Sequence, residues 1–430
     1  MSAPLPALQA EMERRWSPER LRELQLIGKL SWQEGAQAHL VGGAVRDLLL
    51  HRPVQDWDIA VEGDVERIAA RLVDRSLGYR ICKRSAFGTM VLASPTGLVW
   101  DLARCRTESY PHPAALPVTA PASLREDLYR RDYRVNAMAI ALDPKAFGGI
   151  EDPYGGRKDL EQKILSVLHP RSFLDDPTRI LRGLRFHLVL GFRLDPQADH
   201  LRAEALEQQI FSRLSGTRLW RELERLLALQ DTARSLATLR NWGLGGLLPP
   251  VDQASKDLWK ALAAHDQVLQ RFQGTGDSRN PADSQSLLLL LGYFLGEGAA
   301  EQEWSHWQLS FPHGPRQLAL LRRLAEHFPR KGTPAAQARC WRDLGIAGIL
   351  AALAIHGDPA LQESAWDYLE RMRYEDVPLD GRDLQALGVP QGPGIGRMLA
   401  RLQDARWNGE FHDRDGARKW LKENGLLTPP

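Results

Sequence analysis

The chain has 430 residues, of which 43% are apolar and 26% charged, and its formal net charge is +2 at pH 7. That length allows about two to four domains, and the near balance of charge excludes a uniformly basic nucleic-acid binder, so any basic surface must be local. Three widely separated cysteines without metal-ligand spacing, a charged N-terminus and no apolar run of membrane-spanning length predict a reduced, cytoplasmic protein.

The N-terminal third is predicted to alternate short helices and strands. Residues 1–20 carry three prolines and are expected to be a loosely held lead-in, and a helical pattern follows from Leu21 to Glu34. The next predicted elements are a strand over His39–Val41, a Gly42-Gly43 turn, a helix over Ala44–Leu50 and a strand that opens with Asp56-Trp57-Asp58.

Two carboxylates at the start of that strand form the first candidate site. Side chains alternate faces along a strand, so Asp56 and Asp58 should project from the same side and repel each other unless a cation lies between them. Oxygen ligands suit Mg²⁺, which in turn binds triphosphates. Backbone N–H groups near Gly43 and the guanidinium of Arg46 would contact the phosphates. The pattern predicts metal-assisted nucleotidyl transfer.

A structural interpretation of the same segment stays open. An Asp-x-Asp pair is common on solvated strand edges, and a Gly-Gly pair is usually only a turn. The catalytic interpretation is favoured because both occur within one strand–turn–helix–strand unit with an arginine between them.

The sheet is predicted to continue to about residue 145. Asp64 should cap a helix over Val65–Ser76. Three strands follow, over Tyr79–Cys82, Thr89–Ala93 and Leu98–Ala103, with a hairpin turn between the last two. Asp101 interrupts the third strand, which makes it either a third acidic group beside the pair or a strand-edge residue facing water. The proline-rich segment from Arg104 to Pro121 is expected to be a mobile loop near a phosphate-bearing substrate.

Two further segments bring charged residues towards a cleft. In the segment from Asp127 to Ala139, Arg131 is the expected ligand contact, while Asp132 and Asn136 either contact a ligand or pin a turn. Beyond residue 160 helical patterns dominate, and Asp176 lies at the start of a helix in which Arg179, Arg182 and Arg185 recur every third residue. Because Leu and Gly, rather than acidic residues, interrupt this row, we expect it to face a ligand.

Five segments, in this order, resemble the motifs of the class II tRNA nucleotidyltransferases. This family comprises the bacterial and eukaryotic CCA-adding enzymes and also includes CC-adding, A-adding and bacterial poly(A) polymerase members. The matching segments are Leu40–Asp47 with Asp56-Trp57-Asp58, Arg130–Ala139, Asp152–Leu160, Asp175–Arg179 and Arg218–Leu227. Three positions depart from the usual pattern, namely Asp175 for Glu, Arg134 for Thr and His51 for Gly, and none of them removes a functional group assigned here.

The resemblance implies an α+β fold, with a small polymerase-β-like nucleotidyltransferase head on a mixed sheet followed by an all-α neck, body and tail. The boundaries predicted are 1–20 for the lead-in, 21–160 for the catalytic head, 161–230 for a neck with the nucleotide-base template, 231–330 for the body and 331–430 for a tRNA-binding tail.

The resemblance also implies an activity, the Mg²⁺-dependent and template-independent addition of CCA, or part of it, to the 3′ end of tRNA from CTP and ATP, with release of pyrophosphate. Asp56 and Asp58 would be the catalytic and metal-binding residues, with Asp101 as a third candidate ligand. The nucleotide contacts implied are Gly43, Arg46, Arg131, Asp132, Asn136, Asp176, Arg179, Arg182 and Arg185.

The resemblance also implies that Asp176 and Arg179 are the template that contacts the incoming base, and the chemistry of the two side chains suits that role. Asp176 can only accept hydrogen bonds and Arg179 can only donate them. Cytosine and adenine both present an amino donor beside a ring-nitrogen acceptor, whereas uracil and guanine present the reverse order. The pair therefore admits CTP and ATP and leaves buried polar groups mismatched against UTP and GTP, which is costly.

Several alternatives stay open at this point. The chain could add only A or only CC, or it could be a poly(A) polymerase. CC-adding members resemble CCA-adding enzymes in which the loop between the first two motifs is shortened. The segment from Arg104 to Pro121 is not evidently shortened here, which favours terminal A addition. A silent RNA-binding scaffold is disfavoured because the Asp56/Asp58 pair concentrates negative charge where phosphates must approach. The oligomeric state is left open by the sequence.

Overall fold

A computed structural model divides the chain into two units, Met1–Glu222 and Leu223–Pro430. The structure describes residues 5–74, 77–85, 88–229, 231–248, 256–274, 282–295, 299–306 and 314–427. No helix within these ranges combines the length and apolar character that crossing a bilayer requires.

The first unit is built on a seven-stranded mixed sheet. Its strands are β1 (Gln37–Val41), β2 (Asp58–Glu62), β3 (Arg80–Arg84), β4 (Thr89–Ala93), β5 (Val99–Arg104), β8 (Ala139–Ala141) and β9 (Ile150–Glu151). They lie in the order β3-β4-β5-β2-β1-β8-β9. The β2–β5 pair is parallel and the other pairs are antiparallel. The predicted α+β head on a mixed sheet is confirmed.

Helices cover the rest of the first unit. They are α1 (Leu5–Arg15), α2 (Pro18–Gln33), α3 (Gly43–Leu49), α4 (Val65–Val73), α5 (Leu124–Tyr129), α6 (Gly156–Gln162), α7 (Ser172–Asp175), α8 (Thr178–Leu190), α9 (Pro196–Glu207) and α10 (Gly216–Leu227), the last of which continues into the second unit. Asp64 caps α4 as predicted, accepting hydrogen bonds from the backbone N–H groups of Glu66 and Arg67.

The N-terminal segment is more ordered than its prolines suggested. Residues 5–15 form α1, in which Met12 is fully buried, and Trp16 packs edge-on against Trp57 with ring centroids 4.8 Å apart. Apolar burial therefore holds this segment on the sheet, and the prediction of a loose lead-in is wrong for residues 5–20. Residues 1–4 lie outside the described residues.

The segment from Arg104 to Pro121 is also more regular than predicted. It contains β6 (Arg106–Ser109) and β7 (Val118–Pro121), which pair antiparallel as a separate two-stranded ladder. The prolines are compatible with this ladder because Pro121 occupies the last position of β7, at an edge. The prediction of an irregular loop is therefore corrected to a β-hairpin.

Beyond residue 160 the predicted helical architecture is confirmed, with one short two-residue parallel ladder, β10 (Ile164–Leu165) with β11 (Arg193–Leu194). In the described ranges of the second unit every regular element is a helix. They comprise α11 (Thr232–Asn241), α12 (Lys256–Gln273), α13 (Ala282–Leu295), α14 (Ala299–His306), α15 (Gly314–His327), α16 (Pro334–Ile355), α17 (Pro359–Glu370), α18 (Gly381–Ala386), α19 (Pro393–Trp407) and α20 (Arg414–Glu423).

Candidate active site

A cavity of about 780 Å³ opens over one face of the sheet in the first unit. Three groups of residues line it: the sheet and the Gly42-Gly43 turn, the segment from Asp127 to Asn136 with the β6–β7 hairpin, and polar side chains around the start of α8. The charged residues of the lining are Asp58, Lys83, Asp101, Arg106, Glu108, Asp127, Arg130, Arg131, Asp132, Asp176, Arg179, Arg182 and Arg218.

Asp58 and Asp101 lie opposite each other in the cavity floor. They are register partners on the parallel strands β2 and β5, so their side chains project from the same face of the sheet. Burial raises the pKa of Asp58; Arg131 opposes this, and the charges of Asp101 and Asp56 add to it. Burial and the charge of Asp56 also raise the pKa of Asp101. Of the two interpretations of Asp101, the structure favours a third acidic group beside the pair.

Asp56 lies just outside the strand, because β2 begins at Asp58 and not at Asp56 as predicted. The backbone N–H of Asp101 donates to the carbonyl of Trp57 at 3.1 Å, and Trp57 is buried against Trp100. Asp56 is exposed and not part of the cavity lining, yet its charge raises the pKa values of Asp58 and Asp101. The three carboxylates are therefore close enough to repel one another.

The Gly42-Gly43 turn brings the backbone close to charged groups of the floor. Gly42 has a φ of 72°, a conformation that residues with a Cβ rarely adopt. A side chain at Gly42 would place its Cβ 2.8 Å from Nη1 of Arg131 and 3.9 Å from Oδ2 of Asp58. The positive φ therefore favours glycine here, and a side chain at this position would have to displace the guanidinium of Arg131.

Asp127 fixes that guanidinium and was missed by the sequence interpretation. It is 1% exposed and accepts hydrogen bonds from Nη2 of Arg131 at 3.0 Å, from Nη2 of Arg130 at 2.8 Å and from the backbone N–H of Arg106 at 3.2 Å. Burial alone would raise the pKa of Asp127, but the two guanidinium groups hold it below its usual value. The buried carboxylate therefore stays charged and holds Arg131 at the floor.

Asp176 and Arg179 meet at the far wall of the cavity. Oδ1 of Asp176 accepts from the backbone N–H and the hydroxyl of Thr178, at 3.1 and 2.7 Å, and from Nη2 of Arg218 at 3.0 Å. All of these hydrogen bonds end on Oδ1, so Oδ2 is the oxygen left for a ligand. Arg179 is 3% exposed, and its guanidinium donates to the Ser172 hydroxyl and to the carbonyl of Arg130. The remaining N–H groups of Arg179 can serve a ligand.

Asp132 and Asn136 line the cavity, but their hydrogen bonds fit the turn-pinning alternative. Asp132 is 3% exposed, and its Oδ1 accepts from the backbone N–H of Tyr133 and from the amide of Asn136. Oδ2 of Asp132 pairs with Arg182 at 2.8 Å, and this partner raises the pKa of Arg182. Arg182 thus faces the cavity through an ion pair that ties α8 to the segment carrying Arg131.

Arg46 does not line the cavity, and its guanidinium is engaged by protein groups in place of the phosphate contact predicted for it. Its guanidinium donates two hydrogen bonds of 2.9 Å to the neighbouring carboxylate of Asp47 and one of 2.8 Å to Oδ1 of Asn136. It also lies 5.1 Å from the ring centroid of Phe186. These contacts make Arg46 a brace between α3, Asn136 and α8.

Arg185 is not part of the cavity lining either, which corrects the prediction of a single ligand-facing row. At 3.6 residues per turn, each step of three residues turns the side chain by about 60° around the helix, so two steps from Arg179 amount to about 120°. The guanidinium of Arg185 lies 5.2 Å from the ring centroid of Phe186. Two of the three arginines therefore reach the cavity.

Some cavity residues had a signal in the sequence and others had none. Arg218 falls within the fifth matching segment, although it was not selected as a site residue. Lys83 and Glu108 lie in segments that carry no motif. Lys83 reaches the cavity through strand pairing in the main sheet, whereas Glu108 lies on the separate β6–β7 ladder. The sequence reveals neither pairing.

Comparisons with known proteins identify relatives of this chain. Residues 38–166 match the family model described as the poly A polymerase head domain. The A-adding tRNA nucleotidyltransferase of Geobacter sulfurreducens is 30% identical over 91% of this chain and 46% of the relative. The CC-adding tRNA nucleotidyltransferase of Deinococcus radiodurans is 32% identical over 95% of this chain and 96% of the relative. The chain thus spans less than half of the first of these relatives and nearly all of the second.

A solved structure is similar along almost the whole chain. A CCA-adding enzyme in its apo form II superposes with a TM-score of 0.73 at 25% identity, covering 97% of this chain and 98% of that one. The likeness therefore extends from the head through the helical remainder.

Proposed function

This chain belongs to the tRNA nucleotidyltransferase family, as its motifs predicted, and on that premise we propose that it adds CCA to the 3′ end of tRNA from CTP and ATP. The observation that carries the proposal is that one cavity contains both the acidic pair Asp58/Asp101 and the donor–acceptor pair Asp176/Arg179. A purely RNA-binding scaffold gains nothing from either arrangement.

Relatives in this family differ in the nucleotides they add, since the names above include A-adding, CC-adding and CCA-adding proteins. The proposal of complete CCA addition is supported by the segment between the first two motifs. Here that segment contains a formed β6–β7 hairpin, and Arg106, Glu108 and Tyr110 from it line the cavity. The protein would therefore add both C and A. Its proposed compartment is the cytoplasm.

The base would be selected by Asp176 and Arg179. Oδ2 of Asp176 accepts the amino group shared in position by cytosine and adenine, while a guanidinium N–H of Arg179 donates to the adjacent ring nitrogen. Both side chains are already held by protein hydrogen bonds, so little conformational entropy is lost when the base binds. Such preorganisation is what strong discrimination against UTP and GTP requires.

The acidic residues of the floor fit a divalent cation. Asp58, Asp101 and Asp56 supply only oxygen ligands, and the raised pKa values of the first two reflect burial and mutual repulsion that a cation would relieve. The described residues contain no group of three or more ligands already spaced to hold a metal ion. Asp58 and Asp101 would hold the ion, and the nearby charge of Asp56 would add to its attraction. A bound Mg²⁺ would neutralise triphosphate charge and lower the pKa of the attacking hydroxyl.

The chain's own contribution to the reaction is to position and to neutralise charge. Arg131, fixed by Asp127, stands beside the Gly42-Gly43 turn and offers its remaining donors to the triphosphate. Both glycines of the turn line the cavity, so their backbone is accessible to phosphate oxygens. With the base at Asp176 and the phosphates at the turn, the α-phosphate is placed over Asp58, where transfer would occur.

Extension of a defined tRNA tests the proposal. A tRNA transcript that ends at the position before CCA is incubated with Mg²⁺ and with CTP, ATP or both, and the products are resolved at single-nucleotide resolution. The proposal predicts two additions with CTP alone and three with both nucleotides. Addition that stops after CC, or that occurs only on a primer already ending in CC, would assign the CC-adding or A-adding activity instead. Long A tracts on an unrelated RNA would assign a poly(A) polymerase.

The control for that assay is the variant Asp58→Asn, which should lose transfer and retain nucleotide binding. Absence of any extension by the wild-type protein would refute the proposal.

A further inference from the structure

The cavity floor consists of two rows of side chains that cross four strands. In the first row Asp58 on β2 pairs with Asp101 on β5, Asp101 with Val91 on β4, and Val91 with Lys83 on β3. Register partners share a face of the sheet, and all four residues line the cavity. The row therefore runs from the acidic pair to an exposed lysine on the edge strand.

The second row runs beside the first and contains only small side chains. Ala60 pairs with Ala103, and Ala103 with Thr89. The row ends at Ser85, whose backbone N–H donates to the carbonyl of Thr89 at 2.9 Å. All of these residues line the cavity. The floor on the β5–β4–β3 side of the acids is thus low and open, with one cation at its far end.

The two ends of the cavity differ in chemistry, and the geometry of the reaction indicates which end receives the nucleotide and which receives the primer. The Gly42-Gly43 turn follows β1, which pairs with β2 on the side away from β5. Arg179 donates to the carbonyl of Arg130, the neighbour of Arg131 at that turn, so the incoming nucleotide and its departing pyrophosphate belong on this side of Asp58. In phosphoryl transfer the attacking and leaving oxygens are roughly in line. The hydroxyl of the primer must therefore arrive from the other side, across β5 and β4.

We infer that the Val91–Lys83 half of the floor is the track of the primer strand, and that Lys83 binds the phosphodiester on the 5′ side of the terminal primer nucleoside. This inference rests on the proposed function. Lys83 would be a positioning residue that holds the primer hydroxyl at the acidic pair, and it would not contact the reacting atoms.

The position and charge of Lys83 suit this role. Neighbouring strands lie about 4.8 Å apart, so the backbone of Lys83 is about 10 Å from that of Asp101, and its flexible stem can cover part of that distance. Its charge faces the floor, because Lys83 lines the cavity in the same row as Asp101, one strand beyond Val91. The small second row leaves room for a sugar and a base over Ala103 and Thr89.

The inference is tested by removing the charge from each partner in turn. Lys83→Met is compared with wild type on two tRNA primers, one natural and one with an uncharged methylphosphonate at the phosphate 5′ to the terminal nucleoside. On the natural primer the variant should lose about tenfold in kcat/KM, mainly through the KM for tRNA. Wild type should show a similar loss on the methylphosphonate primer, whereas Lys83→Met should lose nothing further.

Matched controls separate this contact from folding and from general charge. Arg80 is exposed on the same edge strand and does not line the cavity, so Arg80→Met should behave as wild type on both primers. Lys83→Arg should restore use of the natural primer, and the Kd for CTP without primer should be unchanged in every variant. The salt dependence of tRNA binding should fall by about one unit of log–log slope in Lys83→Met only.

The outcomes distinguish failure of the proposed function from failure of the role assigned to Lys83. If wild type extends no tRNA, the proposed function fails. If wild type extends tRNA but Lys83→Met does so equally well, or if the methylphosphonate causes its full loss in Lys83→Met as well, the assignment of Lys83 is overturned while the proposed function stands.

Discussion

Arg218 donates a hydrogen bond to Oδ1 of Asp176 at 3.0 Å and others to the carbonyl oxygens of Ala114 and Ala115 at 2.8 and 3.3 Å. One guanidinium thus connects the acidic residue of the base-selecting pair with the segment between β6 and β7. Since Arg218 holds Oδ1, the orientation of Oδ2 towards the cavity depends on it.

We expect Arg218→Met to weaken the choice of base without removing catalysis. With one anchor lost, the carboxylate of Asp176 can rotate, and discrimination between CTP and UTP in kcat/KM should fall about tenfold, the effect of one charged hydrogen bond. Arg221 is exposed on the same helix, so Arg221→Met provides the matched control with unchanged discrimination. Equal discrimination in both variants would show that Arg218 has no part in base selection.

Neutralising one carboxylate of the acidic floor should make the protein more stable. A carboxyl whose pKa is raised on folding contributes stability below its unfolded pKa and loses that contribution as the pH rises through the folded pKa. The pKa of Asp58 is raised, so at pH 7 its charged form carries a cost. Asp58→Asn should therefore raise the melting temperature at pH 7 in the absence of divalent ions, and this gain should shrink at pH 4.

Mg²⁺ should reverse the order of stability of the two proteins, so that wild type becomes more stable than Asp58→Asn. At about 100 times its Kd, Mg²⁺ should stabilise the wild-type protein by about 2.7 kcal/mol, and it should stabilise Asp58→Asn much less. Thermal denaturation with and without Mg²⁺ measures both effects without any activity assay. The same Mg²⁺ shift in both proteins would place the ion elsewhere.

Gly183 on α8 should not tolerate even a methyl group. A Cβ at this position would lie 2.1 Å from the hydroxyl oxygen of Tyr133, which donates a hydrogen bond to the carbonyl of Arg179. Gly183→Ala should lower the free energy of unfolding by about 1–3 kcal/mol, as overpacking does, and it should weaken CTP binding because α8 carries Arg179.

A double-mutant cycle identifies the clash. Tyr133→Phe removes the nearest atom, so the cost of Gly183→Ala should be smaller in a Tyr133→Phe background than in wild type. Urea unfolding of the four proteins measures the coupling. Strictly additive costs would mean that the helix shifts to avoid the tyrosine.

The sequence was most informative where an element and its chemistry are local. The strand, glycine turn and helix around Gly42, the cap at Asp64 and the helix that follows Asp176 were predicted because spacing and capping fix them over a few residues. The predicted fold of the head and the predicted family were also confirmed. Both could be predicted because each motif is a contiguous stretch of sequence.

What the sequence did not reveal depends on contacts between distant segments. Asp101 could not be distinguished from a solvated strand-edge residue until the β2–β5 register placed it opposite Asp58. The donors of Arg46 were expected at a phosphate, but a neighbouring carboxylate and an amide 90 positions away take them. Residues three positions apart in an α-helix also differ in direction by about 60°, so Arg185 and Arg179 face different sides of α8. Counting every third residue overlooked this rotation.

Base selection by the variant Asp176→Ala tests the central claim, that acidic residues and a protein-encoded base-selecting pair share one active site. The measurement is kcat/KM for CTP and for UTP on a tRNA primer ready for C addition, in wild type and in the variant. We expect strong preference for CTP in wild type. Without the carboxylate acceptor, this preference should fall by about tenfold or more while residual transfer persists. An undiminished preference for CTP in Asp176→Ala would contradict it.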